Sequence, residues 1–161
     1  MTERLPATLC APPSARVWVG FSGGLDSSVL LHCLKCNLPA DSSLQAIHVH
    51  HGLHPAADAW TAHCQTVCDA LGIALYIERI AIADVTRNIE AQARAARYAA
   101  FASHVNAGDT LALAHHADDV AETLLLRLMR GAGTEALGNM KAHSRYGEMQ
   151  IWRPLLTMRR A

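Results

Sequence analysis

The densest group of reactive side chains is His115, His116, Asp118, Asp119 and Glu122, packed into residues 115–122 at the expected start of a helix. Asp119 and Glu122 are three apart and Asp118 and Glu122 four apart, so each pair can share one helix face. Such carboxylates suit an amine or a magnesium ion, and a neighbouring imidazole suits proton transfer beside a reacting group. The bland alternative is that acidic residues in a first helical turn complement the helix dipole.

A second group is Ser22, Gly23, Gly24, Leu25, Asp26 and Ser27. Two glycines permit backbone angles closed to other residues and leave nothing to block an approaching phosphate. A helix starting there would aim unpaired N–H groups at an anion, with the serine hydroxyls as further donors. Asp26 can cap that helix or, with Asp119, help hold magnesium beside the phosphates. Neither Gly-x-x-x-x-Gly-Lys-[Ser/Thr] nor Gly-x-Gly-x-x-Gly occurs, so the two common phosphate motifs are excluded.

His48, His50 and His51, with His54, form a third group. Strand alternation places His48 and His50 on one face and His51 on the other. The wall of a ligand pocket is the expected role, ahead of zinc. Cys33-x2-Cys36 and Cys64-x3-Cys68 also suggest zinc, but Cys33, Cys64 and Cys68 fall on apolar helical stripes, where a thiol is a small hydrophobe. Arg94 and Arg97 share a helix face with Glu90, either as a solvated Glu90–Arg94 pair or as phosphate or RNA contacts. Arg153, before Pro154 at a strand end, is a further candidate for such contact.

The elements that must bring these groups together follow from periodicity. Strands are expected at 16–21, 44–50, 73–80, 110–114 and 148–153. Helices are expected over 27–35, from Asp58 to Leu71 with Gly72 as stop, from an Asn88 cap to Val105, and from Asp118 to Arg130 with Gly131 as stop. In the second, Trp60, Cys64, Val67 and Leu71 form the apolar stripe; Tyr98 and Phe101 are expected in the core. This alternation predicts an α/β, doubly wound, mainly parallel five-stranded sheet with helices on both faces. Its ligand would lie beyond the carboxyl ends of the strands, where all three groups converge.

The chain has 161 residues, enough for one domain: a flexible lead-in over 1–15, with three prolines, and an α/β unit over 16–161. Fourteen basic side chains balance fourteen acidic ones, which argues against a domain that grips nucleic acid by net charge alone. No leader pattern or apolar run long enough for a membrane span is apparent, and an odd count of five cysteines suggests reduced thiols and a cytoplasmic setting.

Phe21-Ser-Gly-Gly-Leu-Asp-Ser-Ser28 resembles the PP-loop of ATP pyrophosphatases, which bind ATP phosphates during adenylation of a substrate. Four further segments are similar, in order, to those of tRNA(Ile)-lysidine synthetases: His48–Leu53 with Ala57–Trp60, Ile89–Tyr98, Ala114–Thr123, and Trp152–Leu156. The resemblance covers about Val17 to Leu156. It implies ATP as substrate with magnesium, and ligation of L-lysine to the wobble cytidine of isoleucine tRNA through an adenylated cytidine. It also implies a longer protein, since members of that family continue past the Arg-Pro-Leu-Leu segment; oligomeric state is left open. The alternatives are another PP-loop tRNA-modifying enzyme, such as a thiolase needing an active cysteine, or a non-enzymatic nucleotide-binding module.

Overall fold

The computed structural model describes residues 14–52, 54–81, 89–129 and 140–159. Residues 1–13 of the expected lead-in, and the expected Asn88 cap and Gly131 stop, lie outside them.

Val17 and Val19 point to one side of the first strand, β1 (Arg16–Gly20), and Trp18 to the other; all three are buried, so β1 is central. It pairs in parallel with β2 (Ser43–His50) and β4 (Thr110–Ala112). β2 carries β3 (Ala74–Arg79) in parallel at one edge. On the other side β4 pairs in parallel with β6 (Met149–Trp152), which turns back antiparallel to β5 (His143–Tyr146). The order is β3-β2-β1-β4-β6-β5.

The sheet is thus doubly wound and mainly parallel, as expected, but with six strands rather than five. The extra strand, β5, reads His-Ser-Arg-Tyr and is mostly exposed. An edge strand without an apolar face leaves no alternation to detect. Gly147, at φ 57°, provides its turn into β6.

Helix α1 (Leu25–Asn37) buries Leu30, Leu31 and Leu34 on the Val17/Val19 face. Val29, on the same helix, is 43% exposed. Helix α2 (Ala57–Leu71) covers the same face with Cys64 and Cys68. Gly72 ends it at φ 61° and ψ 44°, with Ile73 N–H donating to Cys68 O at 2.9 Å, the left-handed stop anticipated for it. Helix α3 (Ile89–Ala102) packs Tyr98, Ala100 and Phe101 on the opposite face with Trp18, Ile47 and Leu111. Helix α4 (Ala117–Met129) starts beside the chain end, where Ala117 N–H donates to Met158 O.

One expected cap differs. The N-cap of α2 is Ala56, and Asp58 lies in the first turn, where its carboxylate accepts from Arg79 Nη2 at 2.8 Å. The N-cap of α1 is Gly24, and Asp26, for which capping was one of two roles, lies in the first turn.

Candidate active site

Strand order reverses beside β1: β2 and β3 lie to one side, and β4 returns to the other. The loops leaving β1 and β4 therefore splay apart and open a crevice at the carboxyl edge of the sheet. A cavity of about 660 Å3 occupies it, within the size range of small-molecule sites. Ser22, Gly24, Asp26 and Ser27 line one part; His48, His50 and His51 a second; Arg94, Arg97, His115 and Asp119 a third.

The glycine loop is fixed from within and from below. Ser22 Oγ and Ser27 Oγ are 3.0 Å apart, and Ser27 and Ser28 hydroxyls each donate to Gly24 O at 3.0 Å. Gly23 has φ 81°, and a Cβ there would lie 2.8 Å from the Cys64 sulfur. The loop thus rests directly on α2, and only glycine fits. Cys64 Sγ in turn lies 3.4 Å from His48 Nδ1, which donates to Phe21 O at 2.8 Å. That bond leaves Nε2 of the neutral ring as an acceptor.

Burial disfavours the charged form of three histidines of the cavity. It is the main cause lowering His48, His51 and His115; the carbonyl of Phe21 partly offsets it at His48. His115 falls furthest, from its usual 6.5 to about 4, with Arg153, Arg97 and Arg94 adding repulsion and Asp119 opposing. His51 Nδ1 and His115 Nδ1 are buried with no hydrogen-bond partner. Unsatisfied buried polar atoms facing a cavity are what a ligand would complete. Arg94 sits over the Tyr98 ring at 5.0 Å rather than pairing with Glu90.

At the start of α4, Asp119 Oδ2 accepts the backbone N–H of His116 at 2.8 Å. This reach from the third helical position to the N-cap satisfies an otherwise unpaired donor. His116, 8% exposed, stands between the helices: Nε2 lies 3.6 Å from Asp26 Oδ2, and Nδ1 lies 3.6 Å from both Asp118 Oδ2 and Asp119 Oδ2. Asp26 and Asp119, distant in sequence, thus face one imidazole. Asp118 and Glu122 are exposed, and neither lines the cavity.

Arg153 is not among the residues lining the cavity, and its Nε is buried with no hydrogen-bond partner. It is buried, and its Nη1 donates to Lys141 O at 2.9 Å and Ser144 Oγ at 2.8 Å, tying the end of β6 to β5. Its influence on the cavity is the charge it places near His115. Cys64 and Cys68 are packing groups of the core, while Cys33 is partly buried and Cys36 exposed; burial is the main cause raising Cys64 and Cys68 to about 11 and Cys33 above its usual value. Among the described residues no three His, Cys, Asp or Glu side chains converge as a metal-binding group.

Sequence reasoning missed two parts of the rim. Trp60 is 50% exposed and stacks on His54 at 4.7 Å, both lining the cavity. The buried positions of α2 are Ala57, Thr61, Cys64 and Cys68, a stripe of small residues that leaves Trp60 outside. The second part is Asp58, which links Arg79 and His50: His50 Nε2 lies 3.2 Å from its carboxylate.

The model of the PP-loop domain family matches residues 2–161. Among curated relatives, a tRNA(Ile)-lysidine synthase of Xanthomonas campestris pv. campestris (strain 8004) is 51% identical over 159 residues, 98% of this chain and 36% of that protein. That of Pseudomonas syringae pv. tomato is 49% identical, covering 99% of this chain and 36% of the relative. The chain therefore spans little more than a third of the curated relatives it matches. Among solved structures, the U34-tRNA thiolase NcsA from Methanococcus maripaludis, described with its [4Fe-4S] cluster, superposes with a TM-score of 0.70 at 20% identity. It covers 98% of this chain and 57% of the thiolase, a likeness of fold.

Proposed function

The chain belongs to the PP-loop domain family, and from that premise we propose that it is the ATP-handling part of a ligase that joins L-lysine to the wobble cytidine of isoleucine tRNA. The observation that carries the proposal is the cavity itself, where the glycine loop and α1 start meet Arg97, His115 and Asp119. Identity near one half along nearly the whole chain to tRNA(Ile)-lysidine synthases supports that choice of substrate.

ATP is placed with its phosphates on Ser22–Ser27, against the α1 N-terminus. Arg94 and Arg97 lie across the cavity to meet the remaining charge. In the first step the cytidine C2 oxygen attacks the α-phosphorus, the bond to the β-phosphate oxygen breaks, and pyrophosphate leaves. In the second, the lysine ε-amine attacks C2, the C2–O bond breaks with release of AMP, and the amine gives up a proton. His115, neutral at physiological pH and pushed down to about 4, is a weak base, and is suited to donate an N–H to a reacting phosphate oxygen. The carboxylates facing His116 fit both cations of the reaction: Asp119 for the lysine ammonium, with Glu122 and Asp118 outside the wall, and Asp26 with Asp119 for magnesium. Magnesium takes oxygen ligands and commonly binds through one or two carboxylates plus phosphates; bound there it would neutralise polyphosphate charge.

The thiolase alternative finds less support: none of the described cysteines lines the cavity, and burial pushes the enclosed Cys64 and Cys68 thiols up to about 11. Cytoplasmic location accords with these substrates, and no helix among the described residues is long and apolar enough to cross a membrane.

The test is pyrophosphate release from ATP with isoleucine tRNA and lysine added separately. Release that requires the tRNA but not lysine is expected. Release without tRNA, or with another acceptor only, would overturn the proposal, and none under any combination would favour a non-enzymatic nucleotide-binding module.

A further inference from the structure

Most large aromatic side chains here are enclosed: Trp18 is 5% exposed, Trp152 2%, Phe21 1% and Phe101 3%. Trp60 is 50% exposed, although leaving an indole face in water forgoes substantial burial energy. It is also held in place. His54 stacks on it with centroids 4.7 Å apart and planes 21° from parallel. The imidazole is fixed in turn, since Ala56 N–H donates to His54 Nδ1 at 3.0 Å. The Trp60 carbonyl oxygen lies 3.9 Å from where a Gly23 Cβ would stand, so the pair is rooted beside the phosphate loop.

We propose that the Trp60–His54 pair at the mouth of the cavity is a stacking platform for an unpaired nucleobase of the RNA substrate. The inference rests on the RNA-modifying reading above. A flat, pre-ordered aromatic face matches the π-face of any base, and proteins hold splayed RNA bases by such stacking. A base inside the cavity already meets apolar cover from Ile47, Phe101 and Leu113. Trp60, on α2 and half in solvent, lies where a strand would enter. Arg79, its side chain 63% exposed, is joined through Asp58 to His50 of the cavity wall. A near-neutral protein gains by such contacts, because stacking needs no net positive field.

The test uses Trp60 as its own reporter, as the other two tryptophans are buried. The protein is titrated with isoleucine anticodon stem-loops carrying wobble C or wobble U, and with a non-hydrolysable ATP analogue. Both stem-loops should quench tryptophan emission, and W60F should abolish the quench. W60A should weaken stem-loop binding about tenfold while W60F retains most of it, the loss expected for one stacked base. Analogue affinity should move far less in either variant. Equal stem-loop affinity in wild type and W60A, or no stem-loop binding at all, would overturn the platform. A loss confined to the ATP analogue would assign it to adenine and overturn it as an RNA contact. Failure of the lysidine reading would appear separately, as wobble-C dependence missing from pyrophosphate release while the quench remains.

Discussion

Gly23 is the residue on which the phosphate loop turns. Its φ of 81° and the 2.8 Å approach of Cys64 leave no room for a methyl group. Gly23→Ala should therefore displace the loop and weaken ATP-analogue binding by about tenfold or more, at a strain of roughly 1–3 kcal/mol. Calorimetric titration measures it, and unchanged affinity would contradict the assignment. His115 makes a different prediction. In the unfolded chain it titrates near 6.5, and in the fold near 4. Between those values the unfolded chain binds more protons, so His115 lowers stability as pH falls through that window. His115→Asn removes the penalty. Relative to wild type, the variant should gain up to about 3 kcal/mol on going from pH 7 to pH 4, measured by urea denaturation at both. Parallel pH dependence of the two proteins would count against a buried neutral His115. Much at this scale was legible beforehand, because glycines, serines and clustered carboxylates carry their chemistry in their type. Arg153 was not: its role depends on Lys141 O and Ser144 Oγ, partners set by a strand pairing with no sequence signal.

Among the elements, α2 supports the loop, and its small-residue stripe is the reason. Ala57, Thr61, Cys64 and Cys68 let the helix sit close against the sheet and under Gly23. Cys64→Leu should overpack that contact, costing about 1–3 kcal/mol and weakening nucleotide binding as well. Cys68→Leu, one turn further from the loop, should cost stability alone. Thermal melts paired with analogue titration separate the two, and equal effects on binding would refute a loop-supporting role for Cys64. The parallel strands and their helices were readable from apolar periodicity and from stops such as Gly72. Of the stripe expected on α2, Cys64 is buried and Val67 and Leu71 pack against the core, while Trp60 alone lies outside it. The close approach of loop and helix demanded small residues there and left Trp60 at the rim. β5 escaped notice because an edge strand made of His-Ser-Arg-Tyr has no buried face.

For the molecule as a whole, the topological switch point brings the glycine loop after β1 and the acidic start of α4 to one cavity, where the proposed reaction would use both. Balanced charge fits the proposed recognition of nucleotide and lysine through local geometry rather than through a broad positive field. The chain spans little more than a third of its curated relatives, so transfer is best measured in the whole protein. The decisive measurement is mass analysis of the wobble nucleoside of isoleucine tRNA after incubation with ATP and labelled lysine. The account predicts cytidine carrying one lysine, lost in both Asp26→Asn and Asp119→Asn. An unmodified cytidine, a sulfur-containing product, or lysine transfer undiminished in those variants would contradict it.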